Sequence, residues 1–217
     1  VPGWLENRQA AAMTLALEGL GDAPTVVEIG SYLGRSAVFL ARSLQLAGRA
    51  GHVHAIDPHT GDRQHLEHLG LEELPTWDLF RYFVSSIDQE GTIVPQRAAS
   101  LDVAASWDQP IDLLYIDGWH SYDAVVADGR AWLPHLRPGG VVFFDDYGNY
   151  DEIRQAVDDV AADGLFVPWG ENARQMIGGT TPEPSGALAS LLSVTSSRAM
   201  GALHGLRRRI PGGDVRE

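Results

Sequence analysis

Apolar positions along the chain fall into two patterns, short unbroken runs and residues spaced three and four apart, and the two alternate. Unbroken runs suit strands buried on both faces, and their alternation with helices points to a parallel sheet. The spacing predicts a first helix over Trp4 to Leu20, ended by Gly21, then a buried strand at Thr25 to Ile29 (TVVEI), ended by Gly30. Ala37, Leu40, Ala41 and Leu44 recur at helical spacing, with Gly48 and Gly51 closing that helix. The first unit is therefore strand, glycine loop, helix.

A second strand is expected at His52 to Ile56 (HVHAI), stopped by Asp57-Pro58, because proline cannot continue a ladder. Residues His59 to Glu90 form a long connection rich in Leu, Trp and His, expected as one or two helices with a mobile, lid-like loop. Thr92 to Pro95 is a short third strand, and Ile111 to Ile116 (IDLLYI) a fourth that ends in Asp117-Gly118. Tyr122, Val125, Val126, Trp132 and Leu133 follow a helical face. Arg137 to Gly140 reads as the turn into a fifth strand, Val141 to Phe144, which ends in Asp145-Asp146-Tyr147. A helix at Asp151 to Ala162 and a hairpin of Leu165 to Trp169 with Gln175 to Ile177 complete the pattern. The fold class is α/β, a doubly wound, mostly parallel sheet with helices on both faces. Residues 1–184 are expected as one domain and 185–217 as a tail, partly helical or disordered.

In such sheets ligands bind beyond the carboxyl ends of the strands, where the strand order reverses. Glu28 and Gly30 end the first strand, Asp57 the second, Asp117 and His120 the fourth, Asp145 and Asp146 the fifth, so four strands deliver acids to one edge. The loop Gly30-Ser31-Tyr32-Leu33-Gly34-Arg35-Ser36 allows a tight turn and a close approach to backbone amides at a helix N-terminus. It lacks the dinucleotide spacing of glycines, and the preceding Glu28 suits an ammonium or sulfonium better than a pyrophosphate. With Asp57 placed to accept ribose hydroxyls, the pattern favours a nucleoside-containing cofactor. Asp117 and the Asp145-Asp146 pair should lie side by side; carboxylates that close repel one another unless protonated, paired with a base, or bridged by a hard divalent cation. The plainer account is that one of them caps the following helix and another faces water, with Asp146 the acid most easily explained away, but the cluster as a whole favours a metal. His120, three residues after Asp117, is the side chain best suited to accept a proton near neutral pH. His52, His54, His59, His65 and His68 read as packing or solvated residues.

Composition narrows the chemistry. The chain has 217 residues, 44% of them hydrophobic, enough for a sizeable core. It has no cysteine, so disulfides, thiolate metal sites and a cysteine nucleophile are excluded, and any metal sits on oxygen or imidazole. The net charge of −13 argues against nucleic acid as a partner. No apolar run reaches bilayer-spanning length and no secretory signal is evident, so the expectation is a soluble, cytoplasmic protein without a membrane partner. From Ser185 onward the balance turns basic, with Arg198, Arg207, Arg208, Arg209 and Arg216, read as a solvated helix and frayed tail in preference to an anion or membrane contact.

The segment Val26-Val27-Glu28-Ile29-Gly30 with Gly34, Ser36 and the later Asp57 resembles the cofactor motifs of class I S-adenosylmethionine-dependent methyltransferases. Ile116-Asp117-Gly118-Trp119-His120-Ser121-Tyr122, Leu136-Arg137-Pro138-Gly139-Gly140 and Asp145-Asp146-Tyr147 resemble, more specifically, the macrocin and mycinamicin type of metal-dependent sugar O-methyltransferases. The resemblance covers roughly residues 24 to 180 and leaves the tail out. It implies a seven-stranded sheet whose last hairpin holds one antiparallel strand, magnesium bound by Asp117, Asp145 and Asp146, and His120 as the base. In the implied reaction a substrate hydroxyl attacks the methyl carbon. Glu28 and the loop from Gly30 through Ser31 and Gly34 to Ser36 hold the methionine moiety, Asp57 the ribose, and Ser100 borders the adenine. Asp117 also faces the cofactor, and Trp119 stacks on cofactor or substrate, with core packing as its alternative. The acceptor would be a small-molecule or saccharide hydroxyl, and a homo-oligomer is a family-level expectation. A catechol-type O-methyltransferase, a nicotinamide oxidoreductase and a non-catalytic cofactor-binding subunit are the competing readings; the glycine spacing counts against the second, and a paired base and acid cluster against the third.

Overall fold

The structure is a computed structural model that describes residues 1–61, 76–88 and 90–193. Seven strands form one sheet in the order β3-β2-β1-β4-β5-β7-β6. In chain order the elements are α1 (Asn7–Glu18), β1 (Thr25–Ile29), α2 (Arg35–Leu46), β2 (His52–Ile56), α3 (Thr76–Ile87), β3 (Ile93–Gln96), α4 (Ser100–Ala104) and β4 (Ile111–Ile116). They continue as α5 (Tyr122–Trp132), a 3-10 turn (Leu133–His135), β5 (Leu136–Phe144), α6 (Asp151–Ala162), β6 (Val167–Asn172) and β7 (Gln175–Gly179). Strands β1 to β5 are parallel, and β7 runs antiparallel to both β5 and β6. The doubly wound sheet and its single antiparallel strand are as expected.

Strand alternation divides the core into two layers. Val26, Leu113, Tyr115, Val141, Phe143 and Ile177 face one side, where Met13, Leu17, Leu40, Leu44, Phe80 and Val84 of α1, α2 and α3 cover them. Val27, Ile29, Leu114, Ile116, Val142 and Phe144 face the other, packed by Val125, Trp132, Ile153 and Val157 of α5 and α6. Residues 186–193 are helical and bury Leu188 and Leu192 in the first layer, so the packed body extends past residue 184. No helix among the described residues is long and apolar enough to cross a membrane.

Several boundaries differ from the sequence pattern for identifiable reasons. The first helix begins at Asn7 rather than Trp4, because the side-chain oxygen of Gln9 accepts the Glu6 backbone N–H at 2.8 Å and closes the first turn. Arg137 to Gly140 form an irregularity inside β5 and not a turn before it: Ile111 pairs with Leu136 and Leu113 with Val141, so extra residues on β5 bulge out. Strands β3 and β6 each contain a proline, Pro95 and Pro168, which the ladder tolerates because these two strands are the sheet's edges. In the long connection α3 is anchored through Phe80 and Val84; residues 62–75 and 89 of the expected lid-like connection lie outside the described residues, as does the tail from 194.

Candidate active site

Strand order reverses between β1 and β4, and the register brings the strand ends level there: Ile29 pairs with Ile116, and Ile116 with Phe144. Backbone bonds extend the ladder one residue further, from Gly30 N to Ile56 O, Asp117 N to Ile29 O, and Asp145 N to Ile116 O. The glycine at 30 is required: its φ is 87°, and a Cβ there would meet the Asp117 carbonyl oxygen at 2.0 Å. The first and fourth strand ends can therefore touch only because position 30 has no side chain.

The acid cluster divides. Ligand atoms of Asp117, His120 and Asp146 lie within 4.8 Å of one another. His120 Nε2 stands 3.0 Å from Asp146 Oδ2 and 3.8 Å from Asp117 Oδ1. Asp145, although adjacent in sequence, is drawn away: it accepts from Gln9 Nε2 at 2.6 Å, from the Tyr115 hydroxyl at 2.7 Å and from Arg174 Nε at 3.2 Å. The Tyr115 hydroxyl also lies 2.9 Å from Asp117 Oδ2, tying the two carboxylates together from behind. Arg174 reaches Asp146 at 3.3 Å and the Trp4 carbonyl at 3.0 Å, linking the acids to the N-terminal segment.

Electrostatics follow from this placement. Hydrogen bonding and charge from Asp117 and Asp146 push the His120 imidazole pKa up to about 10, against the opposing effect of burial. Desolvation pushes the Asp117 carboxyl up to about 7, even with His120 pulling it down. Burial acts on Asp146 the same way, but His120, Arg174 and Asn149 outweigh it and hold that carboxyl below its ordinary value. Glu28 is fully buried, and burial pushes it up to about 8 although the hydroxyls of Ser36 and Ser31 favour its charged form. Those hydroxyls stand close without making a hydrogen bond, and among the described residues neither carboxylate oxygen has a hydrogen-bond partner.

Two cavities meet at the triad and share Trp4, Gly30, Tyr32, Asp117 and His120. The smaller, about 260 Å³, is also lined by Ser31, Ser36, Asp146, Asn149, Tyr150 and Arg174. The larger, about 330 Å³, runs past Ile56, Asp57, Ala99, Ser100, Gly118 and Trp119 and is mostly apolar. Trp119 is half-exposed on its wall, not a core residue. Asp57 already accepts the backbone N–H groups of Ser31 at 2.9 Å and Tyr32 at 2.8 Å, so its first task is to hold the glycine loop. Of the residues singled out in the sequence, Glu28, Gly34 and Asp145 line neither large cavity: Glu28 is sealed under the loop, a Cβ at Gly34 would meet Phe80, and Asp145 faces α1.

Sequence reasoning missed Tyr32, Tyr115, Arg174, Tyr150 and Trp4. Tyr115 reads as core by alternation, and Arg174 lies in a hairpin whose approach to β5 only the fold reveals. Tyr32 carried a signal in its place within the glycine loop. Trp4 stacks on Tyr32 at 5.3 Å and Tyr150 on His120 at 6.0 Å, so aromatic rings flank the triad.

The sequence profile of a family described as a methyltransferase domain matches residues 27–147. An uncharacterized protein R132 of Acanthamoeba polyphaga mimivirus is 35% identical over 65 residues, which span 27% of this chain and 29% of that protein. Among solved structures, the O-methyltransferase NovP is 18% identical with a TM-score of 0.68, covering 80% of each chain. The O-methyltransferase TomG from Streptomyces achromogenes, solved with S-adenosylmethionine, is 17% identical with a TM-score of 0.58 over 82% of each chain. These structural likenesses extend to the fold.

Proposed function

This chain belongs to the methyltransferase-domain family, and from that premise we propose that it moves a methyl group from S-adenosylmethionine to a hydroxyl oxygen, with a divalent cation held by Asp117 and Asp146. The observation that carries the reading is the grouping of Asp117, His120 and Asp146 on the wall where two cavities meet. A nucleoside fits the larger, mostly apolar cavity, with Ser100 and Trp119 on its walls, and Asp57 Oδ1, which already accepts the His59 backbone N–H, keeps a lone pair for a ribose hydroxyl. Glu28 fits a cationic ligand: an unpartnered carboxyl beneath the glycine loop regains its charge when a sulfonium or ammonium settles nearby.

Carboxylate oxygens from Asp117 and Asp146 are the donors a hard divalent ion prefers. Such an ion supplies Lewis acidity, lowering the pKa of an acceptor hydroxyl. The chain's own residues do the remainder. Tyr115 and Arg174 fix the carboxylates, and the glycine loop orients the methyl donor. His120 takes the acceptor's proton, a role that needs a neutral imidazole. Were a cation held by Asp117 and Asp146, the pull of their charges that keeps the proton on His120 would weaken.

The smaller cavity offers Asn149, Tyr150, Arg174 and the triad itself as hydrogen-bonding groups, which favours a saccharide hydroxyl as acceptor. The aromatic flanks Trp4 and Tyr150 favour a second reading, a catechol-type acceptor. A net charge of −13 favours either over nucleic acid. In a further variant His120 is itself a ligand, since its Nε2 is grouped with the two carboxylates. Labelled methyl transfer to sugars, polysaccharide precursors and catechols, with and without chelation, tests the proposal and separates the acceptors.

A further inference from the structure

We propose that Asp128 reads the base of the methyl donor: the free oxygen of its carboxyl accepts the exocyclic amino group of adenine in the larger cavity. The inference rests on the S-adenosylmethionine reading above and adds a specificity-determining residue to it.

Asp128 lies within α5, where an aspartate is a poor helix former, and it is only 7% exposed. Burying a carboxyl there costs stability unless partners repay it. One partner is evident. Oδ1 accepts the Ser100 hydroxyl at 2.5 Å, and the Ser100 oxygen in turn accepts the Trp132 indole N–H at 2.7 Å. That chain consumes Oδ1 and fixes the plane of the carboxyl from behind. Oδ2 has no hydrogen bond to any described residue, yet it is not among the buried atoms sealed without a partner. Asp128 lies on the wall of the larger cavity, together with Ala99, Ser100 and Trp119, and also borders a small pocket beside it lined by Gly118, Val125 and Phe144.

Gly118 supplies the second observation. Its φ lies outside the left-handed region, so the backbone does not demand glycine. A Cβ at 118 would stand 3.3 Å from Asp128 Oδ2 and 3.4 Å from Ile29 Cγ2. The missing side chain between Asp117 and Trp119 therefore leaves Oδ2 uncovered. A fixed, uncovered acceptor in a mostly apolar cavity matches a ligand edge that donates. Adenine presents an amino group at that edge; hypoxanthine presents a carbonyl oxygen, which the carboxyl oxygen repels.

The test is calorimetric titration of S-adenosylhomocysteine and of S-inosylhomocysteine into the wild-type protein, Asp128→Asn and Gly118→Ala, with melting curves for each. The wild type should prefer the adenosyl ligand by about tenfold or more, the worth of a hydrogen bond to a charged group. In Asp128→Asn the amide oxygen must stay on the Ser100 hydroxyl, which turns the NH2 group to the cavity, so the preference should vanish or invert. Gly118→Ala should lose adenosyl affinity selectively while melting like the wild type. Equal weakening of both ligands, or an unchanged preference in Asp128→Asn, overturns the assignment and leaves the cofactor reading standing. If Asp128→Asn does not fold, an unchanged preference in Gly118→Ala overturns it instead. Failure of the wild type to bind S-adenosylhomocysteine overturns both.

Discussion

His120 Nε2 lies 3.0 Å from Asp146 Oδ2, and Asp146 holds that position from a backbone at φ 57°. Aspartate is one of the few residues that tolerate the left-handed region, at a cost of about 1 kcal/mol or more. The strained turn follows directly on β5 and aims the second acid of the pair into the cavity, while the first follows the strand's own alternation toward α1.

If His120 is the base, His120→Ala lowers kcat by about 10² to 10⁴-fold, the usual worth of a positioned general base. Affinity for S-adenosylhomocysteine stays within a few fold, because His120 borders the cavities but does not build the glycine loop. Steady-state kinetics and calorimetry check the two halves separately. Preserved turnover with lost cofactor binding contradicts the role. Lost affinity for magnesium in the same variant moves His120 from base to ligand.

The two adjacent acids should separate on mutation. Asp146→Asn weakens the cation about tenfold or more, on the scale seen when groups around a metal are altered, with little change in melting. Asp145→Ala instead costs about 3 kcal/mol of stability, because it empties the buried acceptor shared by Gln9 and Tyr115 and removes the shortest carboxylate contact of Arg174. Magnesium titration and thermal melts of the two variants check this; the reverse pattern would assign the cation to Asp145.

Much of this site was legible because strand ends are. The bounds of β1, β2 and β4 coincide with apolar runs stopped by Gly30, Asp57-Pro58 and Asp117-Gly118, and a parallel sheet sends those stops to one edge. The pairing of β4 with β5 then brought Asp117 near Asp145 and Asp146. The division between the latter two was half legible: Val141, Phe143 and Asp145 share a face by alternation. What no local pattern reveals is that Gln9 and Arg174, 136 and 29 residues away, wait on that face. The bulge in β5 was hidden for a related reason, since Arg137 to Gly140 has turn chemistry and only the register with Ile111 shows the strand continuing around it.

Glu28 makes stability depend on pH. Its carboxyl is raised in the folded protein from 4.5 to about 8, so between those values the folded state keeps a proton that the unfolded chain has lost. Its contribution to folding therefore falls as pH rises across that window. Glu28→Gln, which is neutral throughout, should remove that part of the decline. Melting temperatures of the cofactor-free protein and the variant between about pH 5 and pH 8 provide the check. Parallel curves for the two proteins would mean that Glu28 is ionised at neutral pH without the cofactor.

Transfer of a labelled methyl group from S-adenosylmethionine to hydroxyl acceptors, followed before chelation, after exhaustive chelation and after magnesium is returned, tests the central claim most directly. The account predicts an O-methylated product, its loss on chelation and its recovery with magnesium, with Asp146→Asn needing more of the ion. Transfer that continues undiminished after chelation would contradict a cation at Asp117 and Asp146.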